Sequence, residues 1–206
     1  MIGAIQAGGR SRRMGRDKAW LPLGGRPLIE HVLAAARPVV DRVVIIIDPG
    51  SDQAERYRGF AAQAGVEVQP DLYPGFGPLG GIESALAGCS SGESALVLAC
   101  DLPYLSREFL AFLRSRHEEG GAAVTVPVDR NGHLQPLVAA YSEACRRAIA
   151  EMIATRLLRV DLLYQRVPTV RVAAAEYADL EGSEEFFTNL NTLDEYRRVA
   201  RIAGEE

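Results

Sequence analysis

Along the chain, short continuous apolar runs alternate with stretches of helical period. Ile2 to Gln6 reads as a first strand, and it runs straight into a glycine-rich polar segment. A helix is predicted from Pro27, which suits a first helical position, because Leu28, Ile29, Val32, Leu33 and Ala36 form an apolar stripe before Pro38 ends it. "RVVIII" at 42–47 is β-branched and apolar at every position but its first, the signature of a strand covered on both faces of a parallel sheet. Asp48, Pro49 and Gly50 punctuate it. A polar helix over 51–64, a strand at 66–69, a Pro/Gly loop over 70–78, a helix over 80–88 and the strand "ALVLAC" at 95–100 continue the alternation. Such a rhythm of strand and helix predicts an α/β fold with a parallel sheet.

The second half changes character. "AAVTVPVDRNGHLQPLVAAY", 122–141, reads as two β-rich runs joined through Asn131-Gly132, a strong hairpin signal, so an antiparallel pair joins the sheet and makes it mixed. A helix over 142–153, a weakly patterned stretch to 166, a strand over 168–172 and a final helix follow, the last opened by a capping box of Thr192 with Glu195. No repeat, low-complexity tract or linker marks a boundary, and 206 residues at 48% hydrophobic content suit a single domain.

Composition removes several functional classes. A net charge of −4 and a pI near 5.5 argue against a general nucleic-acid or membrane binder. The longest apolar run, 43–47, is far too short to span a bilayer, and no leader pattern opens the chain. Cys89, Cys100 and Cys145 form no CxxC pair and leave an odd count, which fits a reducing, cytoplasmic setting. Histidines 31, 117 and 133 have no zinc-ligand spacing, and no Ser-His-Asp or Cys-His logic is available.

Against that acidic background, "QAGGRSRRMGRDK" at 6–18 is a local exception, with five cations and three glycines. A Walker loop would need G-x-x-x-x-G-K-[ST], but Gly9 and Gly15 are one residue too far apart and Arg16 follows. "GFGPLG" at 75–80 matches the dinucleotide fingerprint as a string, yet Asp71 to Pro74 separate it from its strand, so it reads as a decoy. Lys18 is the only lysine; the other 22 of the 23 basic residues are arginine. A lysine kept where arginine is the default points to a compact charge against phosphate oxygens, and the loop as a whole to anion binding rather than a solvated basic turn.

"LVLACDLP" places Asp101 where a buried strand gives way to a turn. Ligands of open α/β sheets sit at the carboxyl ends of the strands, so Asp101 and Lys18 are expected at one pocket. A carboxylate beside a triphosphate needs a cation between them, which makes Asp101 a Mg²⁺ ligand; the competing reading is a helix cap near Ser106 or an Asx-turn before Pro103. Asn189 and Asn191, two apart and so on one face of an extended segment, offer a second oxygen ligand. Cys100 reads as a small core residue.

Taken together, "AGGRSRRMGRDK", "PGFGPLGGI", "ACDLP", "LQPLVAAY" and "FTNLNT" resemble the MobA family of molybdenum cofactor guanylyltransferases, in family order from residue 4 to about 198. The resemblance implies a Rossmann-like nucleotidyltransferase fold, a mostly parallel mixed sheet with helices on both faces. It implies GMP transfer from GTP to molybdenum-bound molybdopterin with release of pyrophosphate, Mg²⁺ dependence, and transient contact with cofactor-delivery proteins and molybdoenzymes. By the same resemblance, Ala7, Gly8 and Gly9 bring backbone N–H groups to the nucleotide, while Lys18 and Arg13 neutralise its phosphates. Asp101 holds the metal, Asp71 and Gly80 belong to the nucleoside pocket, and Gln135, Pro136, Asn189 and Asn191 line the pterin side, Asn191 reaching the metal. Gln6 stands where the family usually writes leucine, and Ile46 where it often carries asparagine; both adjoin the expected base pocket, and the Gln6 amide offers a replacement hydrogen-bonding group. Rival readings are a cytidylyltransferase or sugar-phosphate nucleotidylyltransferase of the same fold, and a nucleotide sensor that performs no transfer.

Overall fold

The computed structural model describes residues 1–7 and 17–189. Nine strands and five α-helices occur among them: β1 (Ile2–Gln6), β2 (Pro22–Leu23), β3 (Arg26–Pro27), α1 (Leu28–Ala36), β4 (Arg42–Ile47), α2 (Ala54–Ala64), β5 (Glu67–Pro70), α3 (Gly77–Ala87), β6 (Ser94–Ala99), α4 (Arg107–Gly120), β7 (Val124–Pro127), β8 (Val138–Ser142), α5 (Arg146–Ala154) and β9 (Thr169–Val172). Seven strands form one sheet in the order β5-β4-β1-β6-β8-β7-β9, and β2 and β3 form a separate ribbon. The strands β5, β4, β1 and β6 run parallel, and β8 alone is reversed, pairing antiparallel with both β6 and β7.

Alternation along each strand explains why both faces are covered. Ile5, Ile45, Ile47, Leu96 and Leu98 pack with Ile29, Val32, Leu33, Tyr57, Phe109 and Leu113 of α1, α2 and α4. Their neighbours Ile2, Ala4, Val44, Ile46, Ala95 and Val97 turn to the other face, against Leu79, Ile82, Leu86, Ile149 and Met152 of α3 and α5. A strand apolar on both faces therefore has no polar alternation to show.

The expected elements shift at several ends. Pro27 is the residue before α1 rather than its first turn, with ψ 150° and a place in β3. The second helix starts at Ala54 instead of 51. The third starts earlier than the expected 80, at Gly77, because Pro78 occupies its first turn, where the missing N–H costs nothing. The hairpin is present: β7 and β8 pair directly at Val124 with Tyr141 and Thr125 with Ala140, and Val128 bridges Leu134 near the tip. Asn131-Gly132 sits at the tip of a long excursion, held by Asp129, whose Oδ1 accepts from the N–H groups of Asn131 and His133, each at 2.8 Å. β7 takes β9 as its second, parallel partner. The expected final helix with Thr192 and Glu195 lies outside the described residues.

The sheet order reverses direction at β1: the chain moves from β1 out to β4 and β5, then crosses back to place β6 on the other side. Such a switch point leaves a crevice beyond the carboxyl ends of the two central strands, here β1 and β6.

Candidate nucleotide site

A cavity of about 440 Å³ occupies that crevice. Its wall is built from strand ends: Gln6 and Ala7 at the end of β1, Ile46 and Asp48 at that of β4, Asp71 after β5, and Ala99, Cys100 and Asp101 at the end of β6. The first turn of α3 closes one side with Gly77, Pro78 and Gly81, and Asp17 with Lys18 closes the other. The volume suits a nucleotide-sized ligand.

Lys18 and Asp101 meet here, 83 residues apart in sequence, with Nζ 3.4 Å from Oδ2 and side chains only 14% and 19% exposed. Helix α4 is capped by the Ser106 hydroxyl, which accepts from the Phe109 N–H at 3.1 Å, so Asp101 is not the cap of that helix. Asp17 fixes the approach to Lys18. Its Oδ1 accepts from the Ala19 N–H at 3.1 Å and its Oδ2 accepts from the Tyr57 hydroxyl at 2.7 Å. Trp20, just beyond, lies against Tyr57 and Phe60, with the Arg56 guanidinium 4.3 Å over its ring. Burial, with Cys100 and Asp17 adding to it, pushes the Tyr57 hydroxyl far above its ordinary range, which keeps it a donor. The site's basic end is thereby tied to α2.

On the opposite side, Asp71 is held by α3. Its Oδ1 lies 2.9 Å from the Tyr73 N–H and 2.8 Å from the Ser84 hydroxyl, which also reaches the Gly80 carbonyl at 2.9 Å. Gly81 packs under Gln6: a Cβ there would stand 2.5 Å from the Gln6 amide. The Gln6 Nε2 is buried and has no hydrogen-bond partner among the described residues. Cys100 is half-buried against the core and lines the cavity, but burial, with Asp101 and Asp17 nearby, holds its thiol well above its ordinary range and far from a reactive thiolate.

Of the expected site residues, Gln6, Ala7, Lys18, Asp71 and Asp101 come together at this cavity. Four others, Gly80, Gln135, Pro136 and Asn189, do not line it. Gly80 packs against the chain instead, where a Cβ would lie 2.9 Å from the Tyr73 carbonyl oxygen. The Gln135 side chain donates to Asp129 Oδ2 at 3.0 Å and serves the hairpin tip. Asn189 is exposed. Ala7 contributes wall and not a donor, because its N–H already meets the Ile46 carbonyl at 2.9 Å. Gly8, Gly9, Arg13 and Asn191 lie outside the described residues. Asp17 and Asp48 were not anticipated; for Asp48 the signal was present, since it follows a buried strand as Asp101 does.

Among the described residues no group of three or more His, Cys, Asp or Glu is placed to hold a metal ion. One carboxylate at the cavity, Asp101, still fits a hard cation of the Mg²⁺ kind, which keeps waters and takes substrate phosphate oxygens as its other ligands.

A crevice at the switch point, a lysine and an aspartate paired within it, and glycine-lined access beside it suit a nucleotidyltransferase. The chain belongs to the MobA-like NTP transferase domain family, which it matches over residues 3–168. It is 37% identical over 204 residues to the "Probable molybdenum cofactor guanylyltransferase" of Pelotomaculum thermopropionicum, covering 98% of this chain and 93% of that one. The protein of the same name from Thermococcus kodakarensis is 35% identical over 208 residues, covering 98% and 95%. The solved structure of molybdopterin-guanine dinucleotide biosynthesis protein A from Archaeoglobus fulgidus superposes with a TM-score of 0.83 at 26% identity, covering all of both chains. No helix among the described residues is long and apolar enough to cross a membrane.

Proposed function

We propose that this protein transfers GMP from GTP to the terminal phosphate of molybdenum-bound molybdopterin, forming the guanine dinucleotide cofactor and releasing pyrophosphate. The observation that carries the reading is the Lys18–Asp101 pair at the switch-point cavity, and the names of the full-length relatives support the guanylyl donor and the pterin acceptor. An oxygen of the acceptor phosphate attacks the α-phosphorus in line, and the bond from that phosphorus to the bridging oxygen of the β-phosphate breaks. Charge on the leaving pyrophosphate is what the protein has to stabilise, so positioning and electrostatics dominate.

Lys18 sits 3.4 Å from Asp101 Oδ2, where its ammonium offsets phosphate charge, and Asp17 and Tyr57 hold the backbone from which it projects. Arg13, Gly8 and Gly9 belong to the same phosphate-binding segment in this proposal, and Asn189 and Asn191 to its acceptor side. Asp101 would hold Mg²⁺, which would supply positive charge to offset that of the phosphates. Asp71, locked by Ser84 and Tyr73, faces the nucleoside.

The test is pyrophosphate release with Mg²⁺ and molybdenum-loaded molybdopterin, with GTP, CTP and ATP run in parallel. Release with GTP alone is expected. Release with CTP alone moves the protein to cytidylyl transfer, and silence with all three in a folded protein overturns the acceptor assignment or transfer itself.

A further inference from the structure

Resting on the nucleotide reading above, we propose that Asp48 is the residue that selects the base, its carboxylate accepting hydrogen bonds from guanine N1–H and the N2 amino group while the Gln6 amide donates to O6. The cavity has two unlike halves. Lys18, Asp17 and Asp101 make one charged; the other is formed by the ends of β1, β4 and β5 and the first turn of α3. A planar base belongs in the second half, where Ile46, Pro78 and Gly81 leave apolar surface and little side-chain bulk.

Asp48 is oriented within that half by its own turn. Its Oδ1 accepts from the Gly50 N–H at 2.9 Å and its carbonyl accepts from the Ser51 N–H at 3.0 Å. Oδ2 has no hydrogen-bond partner among the described residues. Asp48 follows Ile46 by two positions, and Ile46 is the register partner of Gln6, so strand alternation aims all three at the α3 face of the sheet. The Gln6 Nε2, buried and without a partner, is a donor still lacking an acceptor; the terminal torsion of a glutamine is broad, and turning it presents N–H to the cavity.

An acceptor and a donor flanking an apolar floor match one base edge. Guanine offers N1–H and N2–H₂ as adjacent donors and O6 as the acceptor. Adenine presents N1 as an acceptor and cytosine presents N3 and O2 as acceptors, so either places lone pairs against the Asp48 carboxylate. Selection then comes as much from repulsion of the wrong base as from attraction of the right one. Inosine lacks the N2 amino group and xanthosine carries an oxygen in its place, which makes the two nucleotides direct probes of Asp48.

The experiment is equilibrium binding, by calorimetry with Mg²⁺ and no acceptor, of GTP, ITP, XTP, ATP and CTP to the intact chain and to Asp48→Asn and Gln6→Leu. Asparagine keeps an oxygen for the Gly50 N–H, so the turn survives while the second oxygen becomes a donor. For the native chain GTP is expected to bind about 5- to 150-fold tighter than ITP and XTP, the range of one good base contact. Asp48→Asn is expected to raise XTP over GTP by a ratio change of similar size. Gln6→Leu weakens GTP and ITP alike, because both carry O6. Native guanine preference with an unchanged GTP:XTP ratio in Asp48→Asn overturns the role of Asp48 and leaves guanylyl transfer standing. A native chain that binds CTP or ATP as tightly as GTP overturns both.

Discussion

Replacing Lys18 with arginine keeps the charge and changes only its shape, which makes it the sharpest probe of why the chain's single lysine lies in this site. The Lys18 ammonium stands 3.4 Å from Asp101 Oδ2 in a pocket where both side chains are largely covered. A phosphate oxygen at that contact distance is attracted by about 5 kcal/mol at an effective dielectric of about 20. A guanidinium is wider and its charge more spread; moving its centre out to about 5 Å reduces the attraction to about 3 kcal/mol, a loss worth roughly 15-fold in rate. A misplacement of the nucleotide well below about 1 Å adds to this and brings the expected drop in kcat/KM to about 100-fold. Stability is expected to stay within about 1 kcal/mol of the parent, because no charge is removed and no cavity opened. Pyrophosphate release under steady-state conditions, with a denaturation curve on the same sample, separates the two. If Lys18→Arg keeps more than a third of the parental kcat/KM, Lys18 is a generic cation and its solitude among the arginines is accidental.

Two further outcomes follow from the geometry around the site and the sheet. Tyr57→Phe removes the hydroxyl that donates to Asp17 Oδ2 at 2.7 Å, and is expected to cost about 1.5–3 kcal/mol in urea denaturation and to raise KM for GTP; loss of stability with KM unchanged would confine the Asp17–Tyr57 bond to the fold. His117 is buried between Thr125 Oγ1 at 3.1 Å and Ser94 Oγ at 3.0 Å, and burial lowers its pKa against a smaller opposing effect of Glu118. The unfolded chain therefore takes up a proton that the folded chain refuses, so stability is full above the ordinary imidazole value and declines as pH falls from there toward the lowered one. His117→Asn should flatten that part of the stability profile, and an unaltered slope in denaturation series between pH 7.5 and pH 5 would refute the assignment.

What could be read from the chain was whatever local pattern and strand ends encode. Val43 to Ile47 and Ala95 to Ala99 are apolar on both faces, and that continuity alone marks central parallel strands. The rule that ligands gather at strand ends was enough to nominate Asp101, whereas Asp71 and Gln6 entered through the family resemblance; all three line the cavity. Asp48 obeys the same rule and was passed over because Pro49 and Gly50 made it look like turn punctuation. It is both: the turn uses one oxygen. Pairing of β7 with β9 was out of reach, since the two strands are separated by more than 40 residues and nothing in either names its partner. Gln135 was assigned to the acceptor side through the family resemblance alone, and the hydrogen bond from its amide to Asp129 could not be read from the local pattern.

The adjacent glycines of α3 show how fold and site divide a short motif between them. Gly80 is required by the backbone: a Cβ would lie 2.9 Å from the Tyr73 carbonyl oxygen, and a carbonyl cannot swing away as a side chain can. That close approach lets the loop from Asp71 to Phe76 lie against the helix, and Ser84, one turn on, then reaches both Asp71 and the Gly80 carbonyl. Gly81 answers to the site instead. The atoms a Cβ would meet there belong to the Gln6 amide, the end of a mobile side chain, so the backbone would tolerate a methyl group. What the methyl would displace is the amide from its seat beside the cavity. Side by side in sequence, one glycine sets how closely the chain packs and the other sets where a polar group faces the ligand. A fingerprint such as "GFGPLG" ends at the first and omits the second, which is why the string misleads while the structure does not.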